Sequence, residues 1–249
     1  MPPQMLAPLL LIATLALLVW AQRNDRRNYR RFGKVKDSAR RQRLFLRMAG
    51  KNCALYLLPS LVGLALLGRV DALWTFPTEF APLVEQLPDL GTGNPAFLGM
   101  ATGALIVGAL IGALLRMLLL RRPLRGAPIA DIAPLIPRNH AELRHILPLI
   151  ASAGISEEVA FRLYLPLLIT GSGGSAALAF TASTLIFGLL HRYQGWVGVV
   201  QTSLLGAIFA LLYLGWPGLT APILVHLLVN AATLVLRPTI ELSFRPRTD

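Results

Sequence analysis

Two adjacent carboxylates, Glu157 and Glu158, stand in the run from Leu147 to Ile169, which is otherwise nearly all apolar apart from Arg162. A charged side chain at the centre of a spanning helix costs about 2.5–3.5 kcal/mol on insertion scales. These groups must therefore find partners inside a fold. The requirement favours a helix bundle with a protected polar interior, and it makes the faces of the two glutamates the central question.

Composition supports a membrane bundle. The chain has 249 residues, of which 55% are hydrophobic and only 14% charged, with a mean hydropathy of +0.60. Soluble domains carry about 25% charged residues. The expected fold class is all-α, a polytopic membrane helix bundle of about seven transmembrane helices. The formal charge is +12, and twelve of the 24 Lys and Arg fall between Gln22 and Lys51, flanked by apolar runs. That is the positive-inside pattern of a cytoplasmic segment, with the lipid bilayer as partner and no nucleic acid. No zinc-finger spacing and no basic strand interleaved with aromatics is present. The single Cys53 excludes an internal disulfide and reads as a small buried hydrophobe.

In chain order, residues 1–51 read as an N-terminal anchor helix and a basic cytoplasmic segment. Residues 52–249 read as a transmembrane helical domain with its core at about 146–236. The expected spans are Leu6–Ala21, Asn52–Leu67, Ala96–Leu120, Ile146–Ile169, Ala176–Leu190, Gly195–Leu214 and a last helix from Pro217 or Gly218 to Leu236. The first is expected to be an uncleaved anchor with the N-terminus outside. Leu44, Phe45, Leu46 and Met48 suggest an amphipathic turn on the membrane surface, with a plain solvated loop as the alternative. The acidic stretch after Asp71 reads as an external loop, with Trp74, Phe76 and Phe80 as interface anchors. Gly99/Gly103 and Gly108/Gly112 permit close helix packing in the third span. Gly171–Ser175 and Gly215–Gly218 read as tight turns.

Polar residues recur inside the apolar helices of the C-terminal half at i, i+4 spacing. They are Glu158 with Arg162, Phe187 with His191, and His226 with Asn230; this spacing places each pair on one helix face. Glu158 and Arg162 are expected to form an intrahelical ion pair. Glu157 lies about 100° further round the helix, so it must find partners elsewhere, and His191 and His226 are available. Helix direction and depth let Glu157, His191, His226 and Asn230 meet in the cytoplasmic half of the bundle. A glutamate and a histidine in a partly dry cavity suit general-base activation of water. A second histidine and an amide suit an oxyanion. The alternative is a metal centre, because two histidines and a carboxylate also form a catalytic zinc set: Glu157, His191 and His226.

The order E-E-x-x-F-R, F-G-x-x-H and H-x-x-x-N on successive hydrophobic helices resembles the CAAX protease and bacteriocin-processing family of intramembrane endopeptidases. The type II prenyl-protein protease belongs to that family. The resemblance covers about Ile146 to Asn230. It implies an endopeptidase in which Glu157 and His191 activate water, His226 and Asn230 stabilise the oxyanion, and Glu158 and Arg162 support the first motif. It implies a membrane-associated peptide or protein substrate, prenylated CAAX-type proteins among the candidates. The family has been read both as zinc-dependent and as metal-independent. The Glu158–Arg162 pairing favours the metal-independent form, with no cofactor, and zinc is the alternative. Leu163 departs from the glycine common in the family, which bears on close packing there.

The expected location is an integral membrane protein of the bacterial inner membrane, with the site toward the cytoplasm. Other readings stay open at this level. The Glu157/Glu158/Arg162 group can be a structural ion-pair network, and His226/Asn230 can be interhelical hydrogen-bond glue. The chain can be a non-catalytic scaffold or bacteriocin-immunity-type protein, or a proton-coupled transporter. Glu158 can replace Glu157 as the base. Phe161 and Phe187 read as packing residues, and His140 and His145 lie outside the expected site.

Overall fold

The computed structural model describes residues 3–87 and 132–243. The expected span Ala96–Leu120, with its glycine pairs, lies outside the described residues. Among those described, the chain is all helix with no strand. The helices are α1 (Pro3–Gly33), α2 (Ser38–Asn52), α3 (Leu58–Leu66), α4 (Ala81–Glu85), α5 (His140–Glu158), α6 (Leu165–Gly171), α7 (Ala176–Leu190), α8 (Gly195–Gly215), α9 (Thr220–Ala231) and α10 (Arg237–Ser243).

Three pairs of these are continuous rods joined by a π-helical turn. The turns are Cys53–Leu57 between α2 and α3, Val159–Tyr164 between α5 and α6, and Ala232–Leu236 between α9 and α10. A π turn widens the hydrogen-bond ladder and frees backbone carbonyls, so other groups must serve them. Ser60 Oγ donates to Tyr56 O at 2.6 Å, and Ser183 Oγ on α7 donates to Phe161 O at 2.6 Å. Small hydroxyl residues thus seal two wide turns inside an apolar body.

Among the described residues, four helical runs are long and apolar enough to cross a bilayer: Met5–Gly33, Ser38–Leu66, Ala176–Gly215 and Thr220–Ser243. The third has 40 residues, about 60 Å as one rod at 1.5 Å per residue and twice a bilayer core. It is not one rod. The chain breaks in a 3₁₀ turn at His191–Gln194 and reverses at Gly195, whose φ of 86° suits glycine. α7 and α8 then pack side by side. An alanine Cβ at Gly188 would run into Ser203 Oγ and would also lie 3.0 Å from Val199 O, so this glycine permits the close approach.

Polarity is inverted relative to a soluble protein. Leu58, Leu178, Leu204 and Leu228 are all more than half exposed, whereas Arg41, Arg162, Glu142 and Glu158 are buried. Apolar faces outward and charged pairs inward suit a lipid solvent. The chain is an integral membrane protein.

Three expectations change. The segment Gln22–Lys51 is neither a loop nor a single surface turn. α1 continues through it to Gly33 and α2 begins at Ser38, capped by Asp37, whose carboxylate accepts from the Arg40 amide at 2.7 Å. Phe45 is buried against Phe32, with ring centroids 5.3 Å apart, because α2 packs on α5 rather than lying free on the bilayer. Phe80 is a core residue and not an interface anchor. It packs on Phe180 at 5.0 Å and, with Phe76, on Tyr213 of α8, while Trp74 stays 78% exposed. An aromatic cluster from the loop thereby plugs the ends of α7 and α8. Cys53 is half-buried at the start of its π turn.

A buried ion pair joins the N-terminal helices to the core. Arg41 Nε lies 3.0 Å from Glu142 Oε2, and both side chains are sealed from solvent. Arg41 also donates to Pro134 O and Ile136 O and lies over the Phe32 ring at 4.6 Å. Glu142 sits in the first turn of α5. Asn139 caps that helix by accepting the Glu142 amide at 2.9 Å, and the Glu142 carboxylate accepts the Arg138 amide at 3.1 Å. This is close to a capping box, with the buried carboxylate serving both the helix start and α2.

Candidate active site

α5 enters the bundle and presents Glu157 and Glu158 at its C-terminal end, just before the π turn that carries Arg162. The two carboxylates face different partners. Glu158 is fully buried, its Oε2 3.0 Å from Arg162 Nε and its Oε1 2.8 Å from His226 Nδ1. It therefore holds a residue on its own helix and a residue on α9 at once. Arg162 is stacked over Phe187 at 4.8 Å and Phe209 at 5.8 Å, and Nη2 has no hydrogen-bond partner among the described residues. Rings replace water around its charge.

His226 is fixed on three sides. Its Nδ1–H donates to Glu158. The Phe209 ring stacks on it at 4.9 Å with planes 21° apart, and Phe187 meets it edge-on at 6.4 Å. A carboxylate on one ring nitrogen sets the tautomer and leaves the other nitrogen free for chemistry. That nitrogen, Nε2, lies 3.9 Å from Glu157 Oε2.

Glu157 is buried but opens on a cavity of about 500 Å³ whose wall also includes His191, His226 and Asn230; Glu158 is not part of that wall. His191 begins the 3₁₀ turn after α7, and its Nδ1 lies 2.9 Å from Phe187 O. A carbonyl only accepts, so Nδ1 carries the hydrogen and Nε2 of the neutral ring keeps its lone pair. Its ring packs on Phe187 at 4.9 Å and Tyr193 at 5.6 Å. No hydrogen bond or ion pair joins Glu157 directly to His191 among the described residues. The two line the same cavity, and the direct neighbour of Glu157 is His226.

Residues 139–232 match the family model described as type II CAAX prenyl endopeptidase Rce1-like. Over these residues the chain is similar to that protease family. The matched stretch begins at the cap of α5 and ends just after Asn230, so it contains all three motif helices and the α7–α8 hairpin. No curated protein and no solved structure matches the chain.

Within the matched stretch, three residues make contacts around the candidate site that spacing alone does not indicate. Glu158 is the hub between Arg162 and His226, not solely the partner of Arg162. Phe209, in no motif, stacks on His226, and Phe187 touches Arg162, His191 and His226 while also packing on Phe161. Gly206 marks the place, since a Cβ there would lie 2.9 Å from Phe187 Cδ1. The glycine also faces buried Arg162, and nothing in the sequence spacing marks it. Leu163 is fully buried in the apolar core behind the site, so the position accepts a full side chain. His140 starts α5, and the His145 ring bonds the Ala141 carbonyl within its own helix; neither lines the cavity.

The donor set is a poor fit to zinc as arranged. Among the described residues, no three His, Cys, Asp or Glu side chains group closely enough to hold a metal ion. His226 Nδ1 is already engaged by Glu158, and only its Nε2 and Glu157 approach one another.

Proposed function

We propose that this protein is an intramembrane endopeptidase in which Glu157 activates the water that attacks a peptide bond of a membrane-associated substrate, prenylated CAAX-type proteins being one class. The observation that carries the reading is the unequal burial of the two carboxylates. Glu158 is sealed and doubly engaged, whereas Glu157 faces the cavity. A base must reach its proton through one hydrogen bond, and only Glu157 meets that condition.

Each step uses a group in reach. Water held between Glu157 and His191 loses a proton to the Glu157 carboxylate as its oxygen attacks the carbonyl carbon. His191 Nε2, a free acceptor, orients that water. The oxyanion that forms is met by the Asn230 amide and by His226 Nε2, which donates when the ring is an imidazolium balanced by Glu158. The proton on Glu157 passes to the departing amine as the C–N bond breaks, the second water proton passes from the new carboxyl group to that amine, and the carboxylate leaves with the water oxygen. Arg162 holds Glu158, and Glu158 and Phe209 hold the His226 ring.

The seven-span topology is part of the proposal. The four long runs contain five helices once α7 and α8 are counted separately, and α5–α6 is a sixth; the seventh is the expected span Ala96–Leu120, outside the described residues. The positive-inside bias supports a cytoplasmic position for the basic ends of α1 and α2 and for the cavity mouth they flank, in a bacterial inner membrane.

The test is proteolysis of a membrane-tethered peptide by purified protein in H₂¹⁸O. One ¹⁸O in the new carboxyl group, no loss of activity with a chelator, and no product from Glu157→Ala are expected. Equal activity of wild type and Glu157→Ala would overturn the assignment. Loss of activity to the chelator with rescue by zinc would overturn the metal-free form.

A further inference from the structure

The cavity has a second wall, built outside the Rce1-like stretch. From α1 it takes Asp25, Tyr29 and Phe32, and from α2 it takes Arg47, Met48 and Lys51. Asp25, Tyr29 and Phe32 on α1 are four and three apart, and Arg47 and Met48 on α2 lie four and three before Lys51, so each helix turns one side to the cavity. The Arg41–Glu142 pair locks α2 against α5, which fixes this wall relative to Glu157. The polar end of the wall carries an uneven charge. Lys51 is paired with Asp25 across the rim, whereas Arg47 lines the same cavity, is exposed, and has no ion-pair partner among the described residues. Balancing the pair leaves one net positive charge there. The rest of the lining between this rim and Glu157 is largely apolar and aromatic, including Tyr29, Phe32, Leu44 and Met48.

We infer that Arg47 binds a carboxylate of the substrate peptide and so sets which bond reaches Glu157. The inference rests on the proposed protease reading of the same cavity. Both walls belong to one cavity of about 500 Å³, so an extended peptide that presents its bond to Glu157 also runs along α2, where Arg47 meets its carboxylate. An unpaired guanidinium beside an apolar slot selects a planar oxyanion through two parallel N–H bonds. Such selection is set by the N-terminal helices, while the chemistry is set by the core.

Three tethered peptides of one sequence separate the sources of a carboxylate. The first has a free C-terminus, the second is amidated, and the third is amidated with a glutamate near that end. Wild type is expected to cleave at least one carboxylate-bearing peptide about tenfold faster in kcat/KM than the plain amide. Arg47→Gln is expected to collapse that ratio toward one, chiefly through KM. Arg43→Gln, an exposed arginine one turn away that does not line the cavity, is expected to keep it. No preference in wild type, or a preference that survives Arg47→Gln, overturns the carboxylate site. Glu157→Ala with the plain amide keeps the two claims apart. If that variant is dead while wild type cleaves all three peptides equally, the protease reading stands and the carboxylate site falls.

Discussion

Glu157 and Glu158 are neighbours in sequence with opposite tasks, and substitution separates them. Glu157→Gln removes the base and leaves no charge stranded. It is expected to lower kcat by about 10²–10⁴-fold with little change in thermal stability. Glu158→Gln withdraws the counter-charge from a fully buried Arg162 and loosens His226. It is expected to destabilise by about 3–5 kcal/mol, as the loss of one partner of a buried pair does, measured as a shift in unfolding in detergent. Phe209→Leu keeps the volume but loses the ring stacked on His226. It is expected to lower kcat with KM little changed, and Phe209→Tyr to restore much of the rate. The Glu158–Arg162 contact was legible because i, i+4 geometry is local. The Glu158–His226 bond was not, because it joins residues 68 apart and depends on the rotation of two helices.

At the scale of elements, each i, i+4 pair named a helix face, but π turns govern what those faces meet. Val159–Tyr164 widens the helix immediately after the carboxylates, and periodicity at 3.6 residues carries no sign of it. The N-terminal helices depart from their composition for a related reason. A run of twelve Lys and Arg reads as solvated loop, yet one of them, Arg41, is buried against Glu142. Composition reports the average of a segment and not the one residue that turns inward. Arg41→Leu is expected to destabilise by about 3–5 kcal/mol, and the double substitution with Glu142→Leu to recover most of the loss. Gly188→Ala tests the α7–α8 contact. Its Cβ meets Ser203 and the Val199 carbonyl, and overpacking of this kind costs about 1–3 kcal/mol.

For the whole molecule, the class of fold followed from hydropathy and charge, because a bilayer imposes apolar outer faces on any chain that spans it. The cavity did not follow, because it forms between helices far apart in sequence, α1 and α2 against α5, α7 and α9. The far end of the molecule offers a pH test. Arg69 is paired with Glu79, and hydrogen bonding from the guanidinium holds the Glu79 carboxyl below its usual range. A depressed carboxyl contributes stability that is complete above its unfolded value, about 4.3, and is lost as pH falls through the depressed one. Both side chains are about a third exposed, so the contribution is roughly 0–1 kcal/mol. Glu79→Gln is expected to unfold slightly below wild type at pH 7 and together with it in strong acid.

The most direct measurement of the central claim is single-turnover cleavage of a tethered peptide by wild type, Glu157→Gln and Glu158→Gln in lipid vesicles, each with its folded fraction counted. Rates are expected to fall by orders of magnitude in folded Glu157→Gln, with wild-type stability retained, while Glu158→Gln loses folded protein as well as rate. Full cleavage by Glu157→Gln, with Glu158→Gln folded but inactive, would make the sealed carboxylate the base and contradict the account.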